Sequence, residues 1–153
     1  MKRSNIWYFD INDEGDRQVK NEQSLRRVPV HPEVQALGFL EYVETSAPDP
    51  DDLLFPELRP GGPDNKLGYY FTKWWSRYRR DVGVYEKGLD YHSFRHSVTT
   101  KLYEAEVSPA IIDELTGLEG EGTSQVVYKK NMSLKVLYKA ISKVKWPEVV
   151  LKR

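Results

Sequence analysis

The stretch Tyr91-His92-Ser93-Phe94-Arg95-His96 sets two imidazoles and a guanidinium close together in the sequence. Downstream, Phe94, Val98, Leu102 and Ala105 recur at steps of three and four, which predicts a helix with those residues on its buried line. Asp90 or Ser93 can cap its start. His92, Arg95 and His96 then point away from the buried line. Cationic groups at a helix N-terminus, where backbone N–H groups lack partners, suit a phosphate.

The chain has 153 residues, enough for one domain with a real core. It contains no cysteine, which excludes disulfides and thiolate metal sites. No apolar run approaches membrane-spanning length and the first residues lack a signal-like apolar core, so a cytoplasmic protein is expected. Net charge is zero, but unevenly spread. Residues 1–66 hold 8 Lys/Arg against 13 Asp/Glu, and residues 67–153 hold 15 against 10. The basic half carries the His/Arg stretch. Such an excess marks either a nucleic-acid footprint or ordinary solvated helix faces.

Ile6 to Ile11 is aromatic and β-branched and reads as a strand, with further strands near Arg17–Lys20 and Arg26–Val30. Pro29 confines the last of these to an edge or a free side. Together they form a small antiparallel meander, with Lys20 near the tip joining the last two strands. His31-Pro32 opens a helix striped by Val34, Leu37, Leu40 and Val43. Residues 46–63 are a connection holding five of the nine prolines, whose island Leu53-Leu54-Phe55 is expected to dock on the core. From Asn65 to about Asp81 a helix carries Leu67, Phe71, Trp74 and Tyr78 on one side. Lys66, Lys73, Arg77 and Arg80 line another, a stripe suited to a DNA backbone or to solvent. Ser108-Pro109 starts the helix after the central one, with Ala110, Ile111, Ile112 and Leu115 inward, and Gly117 stops it. A short helix from Thr123 carries Tyr128. Ser133 caps a last amphipathic helix with Leu134, Leu137, Tyr138, Ile141 and Val144, ended by Trp146-Pro147. There is no internal repeat.

His92-x-x-Arg95, then Gly117-Leu118, then Tyr128 resembles the tyrosine recombinases, the phage integrases in particular. The resemblance extends upstream to Lys20-Asn21-Glu22-Gln23-Ser24-Leu25-Arg26-Arg27-Val28-Pro29-Val30-His31-Pro32, which is similar to that family's lysine hairpin, and to Leu54-Phe55-Pro56. It implies DNA strand cleavage and rejoining through a 3′-phosphotyrosyl link, with Tyr128, Arg95, His92 and Lys20 as catalytic residues. Arg95 would hold the phosphate, His92 would donate to it or move the tyrosine proton, and Lys20 would protonate the leaving 5′-oxygen. His96, Lys73, Arg77, Arg80, Lys129 and Lys130 are candidate DNA contacts. No cofactor and no metal are implied. The implied partners are double-stranded DNA and, in the intact protein, further copies of the chain in a tetramer; the implied setting is the nucleoid.

Two departures stand out. The family's first catalytic arginine, in a Gly-x-Arg-x-x-Glu segment before the hairpin, is absent from this sequence. Leu118 occupies a position usually held by histidine or tryptophan. A C-terminal piece of a catalytic domain, weak or inactive alone, is therefore expected; the alternative is a non-catalytic DNA-binding remnant of an integrase. Without the resemblance, Tyr128 reads as a packed side chain, Arg95 as the partner of a carboxylate such as Asp90, His92 as a helix cap, His96 as structural and Lys20 as a solvated turn residue. His92 and His96 also have the i, i+4 spacing of metal ligands. The expected fold is a single α+β domain over residues 1–153, mainly helical. A three-stranded antiparallel meander at 1–30 packs on a helical body at 31–153.

Overall fold

Ile6-Trp7-Tyr8-Phe9-Asp10-Ile11 forms a strand, as its composition demands, and it pairs antiparallel with Arg26–Pro29. The computed structural model describes residues 2–3, 5–14, 24–118 and 132–147. The chain divides into two compact units, one made of Met1–Leu37 with His92–Arg153, the other of Gly38–Tyr91.

In the first unit, strands β1 (Lys2–Arg3), β2 (Ile6–Ile11) and β3 (Arg26–Pro29) lie in that spatial order. The pair β2–β3 is the body of this small sheet; β1 adds two residues at the other edge of β2. Tyr8 faces Pro29 and Asp10 faces Arg27. The Val30 amide donates to Trp7 O at 2.9 Å and extends the ladder past Pro29, which has no N–H to give. Because β2 pairs directly with β3, no strand from 17–20 stands between them, unlike the expected meander; residues 17–20 themselves lie outside the described residues.

Helix α1 (Pro32–Ala36) starts as the His31-Pro32 pair predicts. His31 Nδ1 accepts the Glu33 amide at 3.1 Å, which leaves Nε2 as the protonated nitrogen facing Val144 O at 3.1 Å. One imidazole thus caps α1 and ties it to the far end of the chain. The expected single helix through Val43 is broken by Gly38. Its φ of +86° belongs to the left-handed region, which glycine enters without a Cβ penalty.

Three further helices build the core of this unit: α4 (Tyr91–Glu104, entering it at His92), α5 (Pro109–Thr116) and α6 (Leu134–Ile141). Leu102, Ile112 and Leu137, one from each, are 0, 0 and 1 % exposed, and Val107, Leu115, Ala140, Ile141 and Val144 complete the cluster. Val28 of β3 packs against it. Ser108 and Pro109 take the expected places before and at the first turn of α5, although the Ser108 side chain makes no capping bond. Ser133 Oγ accepts the Val136 amide at the start of α6. Helix α6 ends at Ile141, before the expected stop at Trp146. Phe94 departs from the expected buried line and is exposed; among the described residues α4 meets the core through Val98 and Leu102, and Ala105 just beyond its end packs there too.

The second unit contains α2 (Phe39–Ser46) and α3 (Tyr69–Asp81). Gly61 and Lys66 close a bridged turn, so α3 begins at Tyr69 rather than Asn65. The island Leu53-Leu54-Phe55 is not in a core. Leu53 and Phe55 are exposed, and the segment meets α2, where Tyr42 Oη donates to Leu54 O at 3.1 Å and its ring lies 6.0 Å from that of Phe55. Phe71, Trp74 and Tyr78 form an aromatic row that stays substantially exposed; Trp74 is 50 % accessible.

Leu102→Ala removes the central side chain of the three-helix core. It is expected to cost roughly 2–5 kcal/mol, read as a lower urea midpoint at unchanged slope.

Candidate anion site on the central helix

Helix α4 begins at Tyr91, which sets Asp90 at the cap position and leaves Ser93 inside the first turn. His92 and Arg95 are three residues apart and His96 is four from His92, so the three share one flank of the first two turns. His92 and His96 are exposed, whereas Arg95 is half-buried. The Arg95 Nε is shielded from solvent and has no hydrogen-bond partner among the described residues.

A second partly buried guanidinium, that of Arg26, feels the charge of Arg95. Successive residues of a strand face opposite ways. Arg27 uses the outer face of β3, where its Nε lies 3.7 Å from Asp10 and its guanidinium lies over the Tyr8 ring at 5.7 Å. Arg26 therefore turns inward with Val28. Its Nη1 donates to Ser24 O at 2.9 Å, while its Nε is buried and without a partner, like that of Arg95. Burial pushes the Arg26 acidity constant below the usual arginine value, and the positive charge of Arg95 pushes it the same way; Glu114 of α5 opposes both. Arginine stays cationic nonetheless. Two partly buried cations thus disfavour each other's charge, and the Glu114 carboxylate offsets part of that cost.

Gly117 shapes the floor of this site. It ends α5 in the left-handed region, φ +68°, with its amide donating to Asp113 O at 2.7 Å. A Cβ built here would stand 2.7 Å from Arg26 Nη1 and 2.8 Å from its central carbon. Glycine is thus required twice, for the backbone and for the guanidinium lying against it. Leu118, exposed, follows directly and brings no side-chain donor to the site.

Of the residues singled out in the sequence, the structure brings together His92, Arg95 and His96. Lys20, Tyr128, Lys129 and Lys130 lie outside the described residues. Lys73, Arg77 and Arg80 sit on α3 in the other unit. There Lys73 Nζ lies 4.3 Å from the centre of the Tyr69 ring and Arg80 lies 4.2 Å from that of Tyr85, so aromatic faces already engage two of the three. Arg79, not singled out, is the buried member of this helix and donates to Leu89 O. Tyr91, the tyrosine next to His92 in sequence, is held by Phe71 and Trp75 with ring centres 5.6 and 5.4 Å away. Desolvation pushes its phenol above the ordinary value, partly opposed by Arg79, which makes it a poor nucleophile at neutral pH. Among the described residues no three His, Asp or Glu side chains group as a metal site would require.

The residue missed in the sequence is Arg26. The signal was present in the alternation of Arg26, Arg27 and Val28: if Val28 faces the core, Arg26 faces the same way.

Compared with protein-family models, with curated proteins and with solved structures, the chain matches none. No helix among the described residues is long and apolar enough to cross a membrane.

Gly117→Ala is expected to destabilise the chain by about 1–2 kcal/mol through the left-handed backbone alone, measured by thermal or urea unfolding. Unchanged stability would contradict the turn described here.

Proposed function

We propose that the chain acts on DNA as the catalytic part of a tyrosine-type site-specific recombinase. The observation that carries this reading is the His92–Arg95 pair on the opening turns of α4, with an Arg95 guanidinium that is half-buried and unpartnered at Nε. An arginine left in that state suits a phosphate, since its planar fork can give two parallel hydrogen bonds to two oxygens of one phosphate.

The chemistry follows from the residue types. The Tyr128 phenol attacks a backbone phosphorus, and the bond from phosphorus to the 5′-oxygen breaks. The phosphoryl group remains on the 3′ side, now joined to tyrosine. The phenolic proton, with an ordinary pKa of about 10, passes to His92. The leaving 5′-oxygen takes a proton from Lys20. Attack by the 5′-hydroxyl of a second strand reverses these steps and reseals the DNA. One phosphoester replaces another, so neither nucleotide nor metal is needed to balance the exchange. Arg95 stabilises charge on the nonbridging oxygens as it develops.

A non-catalytic DNA-binding role has one observation in its favour, the apolar Leu118 next to Gly117. A single experiment separates the two. The protein is incubated with a library of nicked duplexes, in which the freed end diffuses away and traps any covalent product. The expected result is a protein–DNA adduct stable to denaturation, abolished in Tyr128→Phe and slowed about a hundredfold or more in Arg95→Lys. Duplex binding without an adduct would establish the non-catalytic role. An adduct surviving in Tyr128→Phe would remove Tyr128 from its assigned place.

A further inference from the structure

We propose that α3 is a docking surface for single-stranded DNA, with bases stacking on Phe71, Trp74 and Tyr78 and the sugar–phosphate backbone following Lys73, Arg77 and Arg80. The surface lies wholly within the second unit. Phe71, Trp74 and Tyr78 recur at steps of three and four, so one face of α3 carries all three, and all three are exposed. Lys73, Arg77 and Arg80 recur at steps of four and three and form an exposed row along the flank of the aromatic one. Large aromatic side chains left in water over one continuous face mark a place where something binds.

Two observations say what covers this face. The first is charge. Helix α3 carries four Lys/Arg against Asp81, whereas the remainder of residues 38–91 carries three against nine Asp/Glu. The unit gathers its positive charge on one helix. No carboxylate pairs with Lys73, Arg77 or Arg80 among the described residues. The rings of Tyr69 and Tyr85 attract Lys73 and Arg80 without neutralising them. An anionic partner complements such a row.

The second is ring geometry. Trp74 and Tyr78 are stacked, with centres 5.3 Å apart and planes 17° from parallel; Phe71 extends the series at 5.4 Å and 32° from Trp74. Further flat rings continue a series of this kind, and aliphatic side chains do not. A polymer that is anionic at every step and carries a flat ring at every step is a single-stranded nucleic acid. A duplex supplies the charge but keeps its base faces inside its own stack. An acidic peptide supplies the charge without the rings. The choice of DNA over RNA rests on the recombinase reading, in which a cleaved strand leaves its complement before it joins another; the stacking surface itself does not rest on it.

The test measures binding to the whole protein by fluorescence anisotropy. The probes are a labelled oligothymidylate of about fifteen nucleotides, an oligouridylate and a duplex of equal length. Trp74→Leu keeps an apolar side chain and loses the ring. It is expected to weaken oligothymidylate binding about tenfold at unchanged salt slope, and to leave duplex binding as in the parent. Trp74→Phe is expected to restore most of the loss. Arg77→Gln is expected to lower the slope of log affinity against log salt by about 0.7. Both positions are exposed, so the unfolding temperature should stay as in the parent.

The proposal is overturned if oligothymidylate does not bind, if Trp74→Leu binds it as the parent does, or if that variant loses duplex and single strand alike. Preference for oligouridylate overturns the assignment to DNA. Self-association that Trp74→Leu abolishes would give the face to a second copy of the chain and overturn it too. The covalent-adduct assay is read separately. An adduct formed by a protein that ignores oligothymidylate removes this proposal alone, and oligothymidylate binding without an adduct removes strand cleavage alone.

Discussion

The packing of Leu102, Ile112 and Leu137 against one another fixes the rest of the first unit. Each comes from a different helix, so a single buried contact sets the mutual placement of α4, α5 and α6. Val28 lies against the same cluster, and through it β3 is held to the helices. Once Val28 faces inward, the pleat leaves Arg26 no choice of side. It must enter the unit at the edge of the core, where α5 ends. The left-handed turn at Gly117 is what makes that edge habitable for a guanidinium. A hydrophobic constraint thus dictates where a charge is placed, against Gly117 at the end of α5.

This placement has an energetic consequence. A buried donor without a partner costs on the order of 1–3 kcal/mol, and a domain of ordinary stability has only about 5–15 kcal/mol in hand. Two such donors on adjacent cations are therefore a sizeable burden for a small core. Glu114 relieves part of the electrostatic cost, as its opposing pull on Arg26 shows. The partly exposed setting relieves more through solvent screening. What remains is the kind of local conflict that a fold tolerates where function requires it.

Much of the fold was legible because its signals are local. His31-Pro32, Ser108-Pro109 with Gly117, and Ser133 all mark helix ends by bonds or dihedrals within one turn, and the structure places helix ends at each. The failures are positions where distant packing decides. Gly38 could have been tolerated inside a helix, but the backbone there is left-handed and splits it. Phe71, Trp74 and Tyr78 have helical spacing, yet spacing cannot say whether a stripe is covered, and theirs is exposed. Leu53 and Phe55 look like core residues by type and are instead exposed, with the Phe55 ring beside Tyr42. In the candidate site, His92 and Arg95 were readable because the motif is contiguous on one helix. Arg26 was not, because its inward turn depends on Val28 meeting side chains more than 70 residues away in sequence.

The position after Gly117 gains a different meaning once Arg26 is considered. Leucine there cannot donate to a phosphate, which counts against catalysis if each donor of the site must come from its usual place. But the Arg26 guanidinium lies against Gly117 itself, one residue before the leucine. A site is defined by donors at a point in space, not by the segments that deliver them.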